Sequence, residues 1–402
     1  MLTLKKAAFF IVLFIPALLL LGAIVSISIG IYKIRRIDYE SIRLNLKGYL
    51  EKEKGKASVT IKDEILYLDY SYYIKNGPYK PNHRQFSIKA EGSDYLIYIY
   101  GPSFLSSSPP FFKGDFPFFP LVLEAKLNTH NKNKFRVVNF GIEGLDSFDV
   151  KEIIKETVKC RKPNLIIYYD LSAADFECAY FTCIKKDFYL VTGFLKKISG
   201  LFILKQPLQV GRVNQYADWF LRAYVEPILI NLAQQFNIIK IEKEPFLQYN
   251  ELIASYYRQN ISEIIKFTQN KNIPLVMISS VSNLESRPYG IYPETDKLYG
   301  QGMKEKEYFR RIDYLTRAKD SEIFSGELVI KSEIYTFLRS IEKKNVYLFD
   351  LQKKLVDRKF GFSYRNFYDY GHMNPDSHKL IADYLYEFLI QNEDISAGFP
   401  SQ

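Results

Sequence analysis

Short apolar runs separated by amphipathic stretches fill most of the chain after residue 94. Five of these runs have the length of buried strands, and they lie at residues 95–100, 135–140, 163–169, 273–278 and 345–349. Stretches with apolar residues at helical spacing lie between or beside them, at residues 148–158, 214–236, 252–269 and 327–342. Strands buried on both faces that alternate with helices are typical of parallel sheets. The pattern predicts an α/β domain with a mainly parallel, five-stranded sheet.

The region before this domain has a different pattern. Residues 57–62, 65–73 and 86–90 alternate apolar or aromatic with polar positions, which predicts strands. Residues 37–56 carry many charges with leucines and isoleucines between them, which predicts a short juxtamembrane helix or stalk. Residues 37–93 are therefore expected to form a stalk and a small β appendage.

The first 36 residues contain a long uncharged segment. Residues 7–32 carry no charge over 26 positions, and a bilayer needs roughly 20 apolar residues. We therefore expect a transmembrane anchor over residues 1–36. Two lysines precede the segment and five basic residues follow within the next 15 positions, so the positive-inside count favours a cytoplasmic C-terminal domain. Large domains can translocate with little regard to this count, and we expect an extracytoplasmic one.

Composition excludes several other classes. The net charge is +10, but the basic residues are dispersed and form no recognisable nucleic-acid module, so no nucleic-acid partner is expected. Three cysteines, Cys160, Cys178 and Cys183, allow at most one disulfide and lack the spacing of a zinc site. The chain has neither a dinucleotide-binding glycine loop nor a phosphate-binding P-loop. No metal or cofactor is predicted.

Residues 368–378, with the sequence YDYGHMNPDSH, contain the strongest candidate chemistry. Asp369 precedes His372 by three residues in a segment marked by glycine and proline, and a helix pattern follows at once. A base held by an orienting carboxylate has this composition, because the acid fixes the tautomer of the imidazole. A surface turn that opens a C-terminal helix would look similar. His378 is expected to pack at the start of the helix.

Three earlier segments could complete such a site. Ser103 follows Gly101 and Pro102 directly after an apolar run, so it should lie at the carboxyl end of a parallel strand, where α/β sheets place their sites. Gly144 follows the second run, and Ser172 follows the third. Taken alone, the segments of Ser103 and Gly144 are also compatible with ordinary turns.

These segments together resemble the SGNH (GDSL-like) hydrolase family. The last block, D-x-x-H followed by N-P-x-x-H, is similar to the block that holds the family's base and acid, and the other segments occur in the family's order. The resemblance implies a three-layer, flavodoxin-like domain over residues 94–391. Residues 176–245 would be a helical insertion, and residues 392–402 a tail.

The resemblance also implies a role for each site residue. Ser103 would be the nucleophile, His372 the base, and Asp369 the acid that orients it. Ser103, Gly144 and Ser172 would line the oxyanion hole. The sequence departs from the family at three positions, where Pro102 replaces Asp, Asp170 replaces Gly and Ser172 replaces Asn.

The expected function is that of a membrane-anchored serine esterase or O-acyltransferase. Its substrates would be O-acetyl or O-acyl esters of an envelope glycan or lipid, and a membrane acyltransferase is a candidate partner. A degenerate domain that binds a glycan or a protein partner without chemistry is the alternative, and the Ser172 replacement favours it. A third hypothesis is a structural envelope protein in which the motifs occur by chance.

Overall fold

A computed structural model gives the fold of the chain. It describes residues 38–51, 57–72, 80–88, 95–105, 118–129, 134–142, 145–170, 172–179, 232, 234–238, 240–288, 292–322 and 331–400. The predicted transmembrane anchor, Gly144 and most of the predicted helical insertion lie outside these residues. Within the described ranges, no helix combines the length and apolar character needed to cross a bilayer.

Strands and helices alternate through the main part of the chain, as the apolar pattern predicts. The strands are β1 (Ala57–Lys62), β2 (Ile65–Tyr72), β3 (Lys80–Ser87), β4 (Tyr95–Gly101), β5 (Phe135–Gly141), β6 (Leu165–Tyr169), β7 (Leu275–Ile278) and β8 (Val346–Phe349). The helices are α1 (Tyr39–Glu51), α2 (Phe119–Asn128), α3 (Ser147–Cys160), α4 (Ser172–Ala179), α5 (Lys243–Asn270), α6 (Pro293–Lys304), α7 (Tyr308–Ser321), α8 (Ser332–Arg339), α9 (Leu351–Asp357), α10 (Pro375–Gln391) and α11 (Glu393–Ser396).

The main sheet has five strands in the order β5-β4-β6-β7-β8, and every neighbouring pair is parallel. This confirms the predicted parallel five-stranded sheet. Counted from β4, the order is 2-1-3-4-5, that of flavodoxin-like doubly wound folds. All residues of β4, β6 and β7 are buried. Strands buried on both faces lack polar alternation, which is why their sequences are nearly continuous apolar runs.

Helices cover both faces of this sheet and form two hydrophobic cores. On one face, Tyr98 and Tyr100 of β4 pack with α3 and α5. On the other face, Ile97 and Ile99 of the same strand pack with α2, α7 and α10. Successive strand residues point to opposite faces, so one apolar run supplies both cores. The domain therefore has three layers, as expected.

The N-terminal elements pack onto the domain. Strands β1, β2 and β3 form a separate antiparallel sheet. Strands β1 and β2 lie where the alternation predicted them, whereas β3 begins at Lys80, six residues before the predicted third strand. Helix α1 buries Ile42 and Leu46 in the same core as α3 and α5, and the hydroxyl of Tyr249 donates to the Tyr39 carbonyl oxygen at 2.5 Å. The predicted stalk helix thus lies against the domain, because its apolar face is buried there.

The predicted C-terminal tail also has a packed structure. Helix α11 begins two residues after α10 ends, and Asn392 caps it by accepting the N–H of Ile395 at 3.1 Å. Beyond it, the Phe399 ring lies 5.2 Å from that of Tyr95 and 5.1 Å from that of Phe135. These contacts join the end of the chain to the first residues of β4 and β5.

Candidate active site

The turn that follows β4 carries Ser103. Gly101 ends the strand, and a short 3-10 helix over Ser103–Leu105 begins after Pro102. Leu105 donates its N–H to the carbonyl oxygen of Pro102 at 2.9 Å. The first N–H groups of a helical turn have no partner within it, so the Ser103 N–H can serve a ligand.

Strand β5 holds this turn from the side. A Cβ placed on Gly141 would lie 2.3 Å from the Leu105 Cβ and 2.4 Å from its carbonyl carbon, so glycine is needed for the close approach. Asn139 donates from Nδ2 to the Leu105 carbonyl oxygen at 2.6 Å, and its Oδ1 accepts the Gly141 N–H at 2.9 Å. The polar Asn139, close to the carboxyl end of β5, was the sequence signal for this role, which sequence reasoning missed.

The loop between α9 and α10 carries Asp369 and His372. Phe367 and Met373 form an antiparallel bridge across it, and the Tyr368 N–H donates to the His372 carbonyl oxygen at 2.7 Å. Helix α10 begins just beyond, with Pro375 in its first turn and Asn374 as its N-cap. The loop is therefore held together by its own backbone contacts and leads directly into the N-terminus of α10.

The fold brings Ser103, His372 and Asp369 together in one relay. Ser103 Oγ lies 3.0 Å from His372 Nε2, although 269 residues separate the two in sequence. His372 Nδ1 lies 2.7 Å from Asp369 Oδ2, and each of these two side chains is only 15% exposed. The Phe104 ring meets the imidazole edge-on, with 4.9 Å between centroids. This geometry suits proton transfer from the hydroxyl to the imidazole.

The environment of Asp369 keeps it ionised. Burial is the largest influence and would raise its pKa, but the hydrogen bond and charge of His372, with two backbone N–H groups, together lower the pKa below the ordinary 3.8. Those N–H groups belong to Gly371 and His372, and both donate to Oδ1, at 2.8 and 2.7 Å. An ionised Asp369 favours the tautomer with the proton on Nδ1, which leaves Nε2 unprotonated and able to accept the Ser103 proton.

The relay lies at the topological switch point of the sheet. From β4 the chain passes through α2, which packs on one face, to β5, and then through α3, which packs on the other face, to β6. The exit turn of β4 therefore lies where the connections of neighbouring strands run over opposite faces of the sheet. Doubly wound sheets bind ligands in this crevice.

Ser172 occupies a different environment from the one expected of an oxyanion donor. It is fully buried, and its Oγ donates to Asp170 Oδ2 at 3.0 Å while its N–H donates to Oδ1 at 2.8 Å. Ser280, beyond β7, donates to the same Oδ2 at 2.7 Å. A serine has one hydroxyl proton, so Ser172 cannot also donate to substrate without breaking its bond to Asp170. Asp170 and Ser172 thus form a hydrogen-bonded pair.

His378 has the packing role that the sequence predicted. It is buried at the start of α10, with its ring 5.3 Å from that of Phe118 and 6.2 Å from that of Phe119. Burial, together with the nearby His372, lowers its pKa to about 3. His378 is therefore neutral at physiological pH.

Asn283 is a second residue that sequence reasoning missed. It lies in the exit segment of β7 and is fully buried beside the loop that carries Asp369. The local sequence SVSNLES has the composition of any polar loop, so it gave no signal.

Groups of three or more His, Cys, Asp or Glu side chains placed to hold a metal ion do not occur in the described part of the chain. Neither Cys160 nor Cys178 forms a disulfide within that part, and Cys183 lies outside it.

Comparison with known proteins finds no matching family model and no matching curated protein. Several solved structures match, and three of them are similar over most of the chain. One is a protein assigned to the lipolytic G-D-S-L family from Desulfitobacterium hafniense DCB-2, with 11% identity, a TM-score of 0.36 and coverage of 74% of this chain and 100% of that one. Another is the lipase/acylhydrolase from Enterococcus faecalis, with 10% identity, a TM-score of 0.32 and coverage of 73% and 95%.

The third is LAE5, an alpha/beta hydrolase enzyme from the metagenome of Lake Arreo, Spain, with 13% identity, a TM-score of 0.34 and coverage of 77% and 99%. At these low TM-scores and identities, the likenesses carry no inference about the chemistry of this chain.

Proposed function

We propose that the chain is a serine hydrolase or acyltransferase that acts on ester bonds. The observation that carries this proposal is the relay in which Ser103 Oγ lies 3.0 Å from His372 Nε2 and His372 Nδ1 lies 2.7 Å from Asp369. Nucleophile, base and orienting acid in this order form the arrangement that activates a serine hydroxyl.

In the proposed reaction, Ser103 Oγ attacks the ester carbonyl carbon as its proton passes to His372 Nε2. Asp369 stabilises the imidazolium that results. His372 then returns the proton to the leaving alcohol, and the acyl group stays on Ser103. Water or an acceptor hydroxyl next attacks the acyl carbonyl carbon as its proton passes to His372 Nε2. His372 returns this proton to Ser103 Oγ as the acyl bond breaks, which releases an acid or a new ester and restores the Ser103 hydroxyl. The backbone N–H groups of Ser103 and Gly144 would stabilise the oxyanion.

The proposed substrates are O-acetyl or O-acyl esters on an envelope glycan or lipid. The uncharged run at residues 7–32 supports a membrane anchor, and an anchored domain would meet substrates of this kind at the bilayer surface. A membrane acyltransferase is the partner that would supply or receive acyl groups. We propose that the domain lies outside the cytoplasm.

The orientation has a direct test. A reporter that is active only outside the cytoplasm, fused after Gln402, is expected to be active in intact cells, because large C-terminal domains can translocate despite positive flanking charge. Its control is a second fusion with a reporter active only in the cytoplasm. Activity of the cytoplasmic reporter alone would place the domain inside.

The proposed chemistry is tested with a fluorophosphonate probe, which reacts with activated serines. The detergent-solubilised full chain is expected to be labelled, and the labelled peptide should contain Ser103. An unlabelled but folded protein would instead favour the second candidate function, a domain that binds a glycan or a partner without chemistry. The observation that favours this alternative is the Ser172 hydroxyl, which already donates to Asp170.

Ser172→Asn distinguishes two roles for this residue. If residue 172 is an oxyanion donor, replacing its hydroxyl with the longer asparagine amide should raise turnover without tightening substrate binding. Because Ser172 is fully buried and bonded to Asp170, we expect instead a lower melting temperature and no gain in kcat. Ser340→Ala, which removes an exposed hydroxyl, is the control. A several-fold rise in kcat would show that residue 172 reaches the oxyanion.

A further inference from the structure

We infer that Asn283 is a positioning residue for the base side of the site. It lies beyond the carboxyl end of β7 and holds the backbone of the loop that carries Asp369 and His372. This inference rests on the proposed function, because positioning matters only if these side chains perform the chemistry.

Asn283 binds two consecutive carbonyl groups of that loop. Its backbone N–H donates to the Tyr370 carbonyl oxygen at 2.8 Å, and its Nδ2 donates to the Asp369 carbonyl oxygen at 3.1 Å. The Asp369 side chain accepts N–H groups from Gly371 and His372 on the other side of the same turn. Asn283 therefore fixes the backbone at Asp369, the residue whose carboxylate orients the His372 imidazole.

The remaining polar groups of Asn283 fix its own position. Oδ1 accepts the N–H of Glu285 at 3.1 Å, and the carbonyl oxygen accepts the Ser286 N–H at 3.2 Å and its hydroxyl at 2.9 Å. Ser286 in turn accepts hydrogen bonds from the Lys319 ammonium of α7. The carbonyl oxygen of Ser286 lies 2.7 Å from Lys319 Nζ, and its Oγ lies 2.8 Å away. Asn283 thus connects the acid–base loop to a helix of the scaffold.

Burial of Asn283 makes its hydrogen bonds difficult to replace. Asn283 is 0% exposed, so water cannot readily replace either side-chain hydrogen bond when one is lost. Asp369 must stay within hydrogen-bonding distance of Nδ1 for His372 to face Ser103. A displacement of this loop by a fraction of an ångström would therefore slow proton transfer before it affected substrate binding.

The test uses Asn283→Ala in the full chain, with a simple aryl ester as substrate. We expect kcat to fall about tenfold to hundredfold with little change in KM, because the variant misplaces the base and leaves the substrate contacts intact. Asn128→Ala is the matched control. Asn128 makes the same two kinds of bond, Nδ2 to the Phe135 carbonyl oxygen and Oδ1 from the Phe135 N–H, both at 2.9 Å, where β5 begins. Its kcat should stay within about twofold of the wild type.

A second background separates positioning from general stability. If Asn283 acts through Asp369, then Asn283→Ala should lower kcat by less than about twofold in an Asp369→Ala chain, while still lowering the melting temperature. Equal losses of kcat in both backgrounds would overturn the inference. Asn283→Asp keeps the oxygen that accepts the Glu285 N–H and loses the donor to Asp369, so it provides the same comparison if the alanine variant does not fold.

The two proposals fail in different ways. A wild-type chain whose Ser103 is not labelled by the fluorophosphonate probe would overturn the proposed function and this inference with it. A labelled wild-type chain whose Asn283→Ala variant keeps full kcat would overturn the inference alone.

Discussion

Ser103→Ala is expected to abolish fluorophosphonate labelling and to reduce ester hydrolysis to background, a loss on the order of 10⁴ or more for a nucleophile in a triad. The reason is that the hydroxyl 3.0 Å from His372 Nε2 supplies the atom that forms the acyl bond. The measurement compares labelling and initial rates of hydrolysis for purified wild-type and variant chains. Ser340→Ala, which changes an exposed serine at the end of α8, should leave both quantities unchanged.

His372→Ala should cause a similar loss, and the double variant should lose little more than either single one. Nucleophile and base act as one unit. Once one of them is lost, removing the other costs little further activity. Losses that multiply would show that the two side chains act independently. That result would contradict the proposed relay, even if both residues were individually important.

Asp369→Asn is expected to lower kcat by about 10³ to 10⁴, less than loss of the nucleophile, while the chain still folds. Asp369 accepts three hydrogen bonds through two oxygens, whereas an asparagine offers one oxygen and a donor. The imidazole would then favour the tautomer that cannot take the Ser103 proton. A variant with unchanged kcat would remove Asp369 from the relay.

The same variant should alter the dependence of stability on pH. The folded-state pKa of Asp369 lies below its ordinary value of 3.8, so its ionised form contributes stability above that value. This contribution is lost as the pH falls through the folded-state pKa. The difference in melting temperature between wild type and Asp369→Asn should thus be fully present above pH 3.8 and shrink as the pH falls below that value. A difference that grows as the pH falls would contradict the assigned direction of the shift.

The sequence predicted the strands of the main sheet and several local features of the site. Strands β4, β6 and β7 are buried on both faces, and nearly continuous apolar runs mark this type of strand. Gly101 and Pro102 marked the turn that carries Ser103. The three-residue spacing of Asp369 and His372 within a tight loop indicated their contact, because a turn brings such residues together.

Other features lacked a local signal. The apolar face of α1 indicated a helix but not the surface that buries it, so a stalk was an equally reasonable prediction. Ser172 was assigned to the oxyanion hole by its position after β6, yet its hydroxyl donates to the Asp170 carboxylate. The residues before and after Asn283 gave no indication that its side chain binds a carbonyl group 86 positions away.

The sequence by itself determined the class of the fold, the strands and the three residues proposed to carry the chemistry. These depend on apolar periodicity and on turn residues, which act over a few neighbouring positions. The tertiary structure decided the strand order, the hydrogen bond across 269 residues between Ser103 and His372, and the partners of Ser172 and Asn283. Apolar strands can pair in several orders, and a buried polar side chain takes its partner from whatever backbone or carboxylate the packing of distant elements places beside it.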